Sequence, residues 1–185
     1  MSQLPEVFEL GPEEEAGRLW RGAQEAQGRA PESLVAMCEA LDLGLRAAEI
    51  LVTHRLQAVK DRFPATIGIQ LETPAPEVDP LRDAVNIPNS LAFTAILDLL
   101  SAEDLECVSP GMHRGWEDRR FSCKRSRITA QETLGVVLGP EDRDRLLLLS
   151  AYRNRIFRSP PPVRVVRDEI LGAFPVLNRL MGTLL

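Results

Sequence analysis

The most regular apolar pattern in the chain runs from Glu32 to Phe63. Leu34, Cys38, Leu41, Leu45, Ala48, Val52, Leu56, Val59 and Phe63 follow one another at steps of three or four residues. That spacing stacks side chains on one face of an α-helix. Pro31 stands where a first-turn proline is tolerated, and Pro64 stands where a helix must stop, because proline has no amide hydrogen and its ring crowds the preceding turn. The pattern predicts one long helix over 32–63. Gly44 inside it costs about 1 kcal/mol of helix propensity against alanine, and suits a place where another helix comes close.

Upstream, residues 1–30 are acidic and rich in Gly, Ala and Gln, with Trp20 as the one large anchor. They predict a loosely packed lead-in or a short helix near 13–27. Downstream, Ile67, Ile69 and Leu71 alternate with small or polar residues, the period of a short strand or extended arm. The prolines at 74, 76, 80 and 88 exclude a long helix there. A second helix is expected from Ser90, carrying Leu91, Phe93, Ile96, Leu97 and Leu100 and ending by Glu106. CVSPGMHRGWEDRRFSCKRSR, from Cys107 to Arg127, has no helical period and reads as a loop or small hairpin.

Thr129 and Glu132 have the spacing of a capping box, in which hydroxyl and carboxylate satisfy orphan amides reciprocally. A short helix, TAQETLGVVL, should follow and stop at Gly139-Pro140. Glu141, Asp142 and Asp144 then load the first turn of the next helix with negative charge, as the helix dipole prefers. That helix carries Leu146, Leu147, Leu149, Ile156 and Phe157 and stops by Pro160. A last helix, about Val165 to Leu184, would bury Val166, Ile170, Phe174, Leu177 and Leu184, with Pro175 as a kink. No internal repeat is present. The elements add up to an all-α helical bundle with a short extended or β insertion between the first and second long helices. In domain terms, an acidic lead-in over 1–30 precedes a single bundle domain over 31–185, with insertions at about 64–89 and 107–127.

Composition narrows the class. A chain of 185 residues, 44% hydrophobic and 26% charged, has the length and balance of one soluble domain with its own core. No apolar run approaches the roughly 20 residues that span a bilayer, so no membrane partner is expected. MSQLPEVFELGPEEE lacks the basic start and apolar core of a signal peptide. Cys38, Cys107 and Cys123 are odd in number and widely spaced, which points to a reducing cytoplasm.

Charge adds an asymmetry. Between Gly111 and Arg167 there are 13 Lys and Arg against 6 Asp and Glu, whereas the rest of the chain holds 9 against 21, for a net charge of −5. A basic segment on an acidic body suits either an anionic ligand such as nucleic acid or pairing of the two parts within or between subunits. Trp116, Phe121, Tyr152 and Phe157 are its only aromatics, a poor platform for stacking a single strand.

The familiar catalytic signatures are missing: no Gly-rich phosphate loop, GxSxG, CxxC or HExxH occurs, so the chemistry each supplies has no carrier. Cys107, His113 and Cys123 match no closed zinc spacing and lack a fourth ligand, so neither metal nor cofactor is expected. His54, beside the apolar stripe, is expected partly buried and hydrogen-bonded. Glu13, Glu14 and Glu15 read as a solvated face.

One stretch remains, LLLLSAYRNRIFRSPPP from Leu146 to Pro162. A leucine-rich helix ends in Arg153-Asn154, a polar residue follows five positions after the arginine, and prolines then break the chain before a final amphipathic helix. This arrangement resembles the HEPN superfamily, helical bundles that carry the motif R-N-x-x-x-H at this point. ITAQETLGVVLGPEDRDRLLLLSAYRNRIFRS is similar to that family's short capped helix, acidic turn and motif helix, and the helix over 32–63 to its opening helix. The resemblance covers about 34–63 and 128–184. RDEILGAFPVL also resembles a segment of mannitol-operon repressor proteins, whose bundle is similar.

In active members, the resemblance implies, Arg and His from two subunits meet in a groove and cleave RNA without metal through the ribose 2′-hydroxyl. Here Arg158 occupies the histidine position. Imidazole trades protons near neutral pH and guanidinium does not. The expectation is therefore a homodimeric, non-catalytic HEPN-like module that binds a protein partner or RNA in a bacterial stress, defence or regulatory system. Arg153, Asn154 and Arg158 would persist as an anion site or dimer contact, with Lys124, Arg125 and Arg127 as further RNA-binding candidates. Alternatively, Asn154 caps backbone groups and Arg153 pairs with Glu32, Glu39 or Asp42. Two other functions stay open: a toxin-like, metal-independent endoribonuclease in which His113 supplies the imidazole, and a transcriptional co-regulator resembling the mannitol-operon repressor.

Overall fold

Several helix starts carry the acidic residues or the side-chain caps that the helix dipole and orphan amides favour. Pro12–Arg29 forms α1, with Glu13, Glu14 and Glu15 in its first turn. The Glu14 carboxylate accepts from the Gly11 N–H at 3.0 Å, so the acidic run starts a helix as well as facing solvent. After a turn through Pro31, the Ser33 hydroxyl accepts from the Ala36 N–H at 3.2 Å and opens α2, Leu34–Gln57. Phe93–Leu100 forms α3 and residues 127–134 form α4. Pro140 sits in the first turn of α5, Pro140–Arg158, with Gly139 as its cap and Glu141 and Asp142 beside it. Arg167–Leu184 forms α6. The structure, a computed structural model, describes residues 10–59, 62, 93–102 and 127–185. Among these it is all helical apart from turns, connectors and one isolated bridge.

Contacts between side chains give the directions. Glu13 meets Arg55 at 4.0 Å and Arg29 meets Glu39 at 3.3 Å, so α1 and α2 are antiparallel. Asp142 meets Arg179 at 2.7 Å and Tyr152 meets Glu169 at 2.5 Å, so α5 and α6 are antiparallel as well. Arg167 reaches the Pro31 carbonyl at 3.2 Å while Leu177 lies against Gly44, which makes α2 and α6 parallel neighbours. The four long helices thus run up, down, up and down, with α3 packed on α2 and α5.

Because α1, α3, α5 and α6 all touch α2, its buried surface is wider than one stripe. Ala36, Met37, Ala40, Leu41, Leu45, Ala47, Ala48, Leu51, Val52 and Leu56 are all buried. Gly44 lies where three helices converge: a Cβ there would stand 2.9 Å from Leu177 Cδ2, 3.6 Å from the Trp20 ring and 3.7 Å from Ala23. The close approach expected for this glycine is present. From α1, Ala16, Leu19, Trp20, Ala23 and Ala26 join the core, so the described part of the lead-in takes the helical form, and is firmly packed.

Several local expectations are corrected. Pro31 belongs to the turn before α2 rather than to its first helical turn, and Leu34, at the helix start, is 48% exposed. The helix ends at Gln57, giving way to tight turns in which Val59 N–H reaches the Leu56 carbonyl at 3.1 Å. Thr129 is not an N-cap, since helix is already formed at 127. Its carbonyl accepts from the Thr133 hydroxyl at 2.7 Å, and the Glu132 carboxylate faces Arg62 at 3.4 Å. Helix α4 stops at Gly135, not Gly139. Gly135 has φ +66 and donates to the Gln131 carbonyl at 2.8 Å, the left-handed helix end that glycine adopts without strain. Leu138 then bridges Ser101 in parallel. Val166 is the N-cap of α6 and is 51% exposed, because only the helix beyond it turns a face to the core. Pro175 sits on the solvent side of α6, which runs on through it.

The expected arm around Ile67, Ile69 and Leu71, the helix start at Ser90 and Leu91, Phe63, and the segment bearing Cys107, His113, Cys123, Lys124 and Arg125 lie outside the described residues. No helix among the described residues is long and apolar enough to cross a membrane.

Candidate functional site

On α5, Leu146, Leu149, Ser150 and Tyr152 are buried. Arg153 follows Leu149 by four residues and Ser150 by three, so it leaves the helix on that same inward face. There it meets Glu49, a buried acid on the most enclosed helix. Arg153 Nη1 donates to Glu49 Oε2 at 3.0 Å and Nη2 donates to Oε1 at 2.5 Å. The two side chains are 14% and 10% exposed. Glu49 Oε1 also accepts from the Phe93 N–H at 3.0 Å, the first amide of α3. A carboxylate taken out of water needs partners of this strength, and the planar guanidinium fork matches it in a bidentate way. One acid therefore ties α2, α3 and α5 together.

Arg158 lies five residues on, roughly 140° round the helix, and is exposed. Asn154 is half-buried. Arg155 places its guanidinium 5.6 Å from the centre of the Tyr152 ring, within cation–π range. The Tyr152 hydroxyl donates to Glu169 Oε2 at 2.5 Å and accepts from the Val166 N–H at 3.3 Å. The hydrogen bond to Glu169, with burial, raises the Tyr152 pKa above its ordinary value.

The structure therefore separates residues that the sequence groups together. Arg153 is engaged from inside, and its partner is Glu49 rather than Glu32, Glu39 or Asp42. Glu39 and Asp42 face Arg29 and Arg46 instead. The antiparallel register of α2 and α5 sets 49 opposite 153. Arg127 is half-buried in α4 and has an interaction of its own. His54 is half-buried as expected, but its ring makes no hydrogen bond among the described residues. No cluster of three or more His, Cys, Asp or Glu that would hold a metal occurs among them either.

Sequence reasoning passed over Glu49 and Gln131. The signal for Glu49 is an acid inside an otherwise apolar stretch, flanked by Ala48 and Ile50. The Gln131 side-chain nitrogen donates to the carbonyls of Leu99 and Ser101 at 3.2 and 2.9 Å, and the Leu138 N–H donates to the Leu100 carbonyl at 2.7 Å. Together they satisfy the end of α3.

The remaining arginines show a contrast. Arg18, Arg29, Arg46, Arg55, Arg62, Arg143, Arg145, Arg153 and Arg179 each meet a carboxylate within 4.0 Å. Arg21, Arg155, Arg158, Arg164 and Arg167 are exposed and have no carboxylate partner among the described residues, Arg167 bonding the Pro31 carbonyl instead. Of these, Arg155, Arg158 and Arg164 lie at the end of α5 and in the connector after it. Phe157, 57% exposed, and Val166 share this end of the bundle. Chemically, such a surface holds anions and apolar groups, and guanidinium is not a proton shuttle.

Comparison of the chain with protein-family models, with curated proteins and with solved structures finds no match.

Proposed function

We propose that the chain is a non-catalytic, HEPN-like helical module that acts by binding a protein partner or RNA, as a homodimer, in a bacterial stress, defence or regulatory system. The observation that supports it is the closed Arg153–Glu49 fork. Cleavage of the kind the motif implies would require Arg153 to meet the scissile phosphate and the group at 158 to exchange a proton. Arg153 already has both terminal nitrogens on an internal carboxylate, and a guanidinium, unlike an imidazole, is not a proton shuttle. That leaves Arg158, which is exposed, as a group suited to holding an anion, not to general acid or base work.

The test is a cleavage assay. Purified protein incubated with single-stranded RNA in chelator should leave it intact. Robust cleavage that disappears in His113→Ala would overturn the proposal and establish the ribonuclease. Arg158→His alone should stay inactive while Glu49 holds Arg153.

A further inference from the structure

Arg155, Arg158 and Arg164 form the one place in the described chain where neighbouring guanidiniums lack carboxylates. The C-terminal half of α5 and the connector into α6 are held side by side by the Tyr152 hydroxyl, which accepts from the Val166 N–H, with Arg155 over the Tyr152 ring. The C-terminal dipole of α5 accounts for cations on its last turn, at about 0.3–1 kcal/mol each. It does not account for Arg164, which lies off the helix. Of the two acids in the first turn of α6, Asp168 and Glu169, Glu169 is taken by the Tyr152 hydroxyl, and neither forms an ion pair with these arginines among the described residues. Two exposed apolar side chains, Phe157 and Val166, flank the arginines.

We infer that this end of the bundle is the docking surface for an acidic segment of a protein partner, with Asp or Glu interleaved with apolar side chains. The inference rests on the binding-module reading and names its ligand. Carboxylates fit the guanidiniums in a bidentate way, and apolar side chains of the segment cover Phe157 and Val166. Both features favour a short acidic peptide over RNA. A long polyanion would run from this end onto a body that carries most of the chain's 27 acids, and Phe157 offers only one ring for stacking.

The experiment selects from a display library of random short peptides on the immobilised full-length protein, then measures the top synthetic peptide by fluorescence anisotropy. The expected selection is rich in Asp and Glu alternating with Leu, Ile or Phe. Its affinity should fall by at least about tenfold in the triple variant Arg155→Gln, Arg158→Gln, Arg164→Gln, and weaken with added salt. Phe157→Ser should weaken it too. The triple variant removes no ion pair, only the helix-end cations and the Arg155–Tyr152 contact, so it should melt cooperatively within a few degrees of the wild type, which separates lost binding from lost folding. Selection without acidic enrichment, no selection at all, or affinity that ignores the triple variant overturns the inference. So does tighter binding of a uridine-rich oligoribonucleotide that the triple variant abolishes, which assigns the surface to nucleic acid. Failure of the non-catalytic reading would show elsewhere, as RNA cleavage.

Discussion

Arg153 and Glu49 are each other's main compensation for leaving water. Removing either alone strands the other, a loss of about 3 kcal/mol for a pair at this depth. Arg153→Ala and Glu49→Ala should each lower Tm by on the order of 6–12 °C for a chain of this size. The double variant should cost much less than the sum, with a coupling of about 1–3 kcal/mol in the cycle. Arg153→Ala melting like the wild type would mean that this arginine is free to serve a ligand. Tyr152 adds a pH dependence. Its folded pKa is raised by the Glu169 hydrogen bond, so its contribution is fully present below its ordinary value, near 10, and is lost as pH climbs through the raised one. The stability gap between wild type and Tyr152→Phe should therefore narrow in strongly basic solution, as read by chemical denaturation across pH. A constant gap would contradict the hydrogen bond.

At the scale of helices, glycines separate propensity from packing. Gly172 lies on the exposed side of α6 with nothing within 4 Å of where a Cβ would stand, whereas a Cβ on Gly44 would meet buried Leu177 at 2.9 Å. Both alanine variants gain roughly 0.5–1 kcal/mol of helix propensity. Gly172→Ala should keep that gain, while Gly44→Ala should lose it to displacement of Leu177, and Gly44→Val should be destabilised by about 1–3 kcal/mol. Equal stabilisation by the two alanines in thermal melts would rule out the three-helix crossing at Gly44. Gly135 has the opposite requirement: its φ of +66 suits glycine whatever the space around it.

Over the whole molecule, the acidic body and the basic segment are partly joined within one chain, through Asp98 with Arg143 and Glu49 with Arg153. Among the described residues of the basic segment, Arg155, Arg158 and Arg164 meet no carboxylate and lie at the far end of α5 and just beyond it. The proposed homodimer adds a second way to compensate charge, and sedimentation at micromolar protein should show it. A clean monomer at about 100 µM, weaker than specific interfaces usually bind, would remove the dimer from the proposal. Within the chain, contact with α1, α3, α5 and α6 makes α2 the element on which every other long helix depends.

The order of helices, their approximate ends and the place of Gly44 were determined by the sequence alone, because apolar periodicity and proline or glycine punctuation act over a few residues. Leu41, Leu45, Ala48, Val52 and Leu56 are buried as their spacing requires. Local signals misled where two of them competed: Thr129 with Glu132 mimics a cap inside a helix that had already begun, and Gly135 ends α4 before the more conspicuous Gly139-Pro140. The partner of Arg153 was decided by tertiary structure. Four acids on α2 or just before it lie within reach of a neighbouring helix in principle, and only the register of two antiparallel helices, set by the packing of Leu146 and Leu149, brings Glu49 opposite. The same holds for the unpaired arginines. Sequence counts charges, but which ones find partners depends on residues far apart in the chain and adjacent only once the bundle has closed.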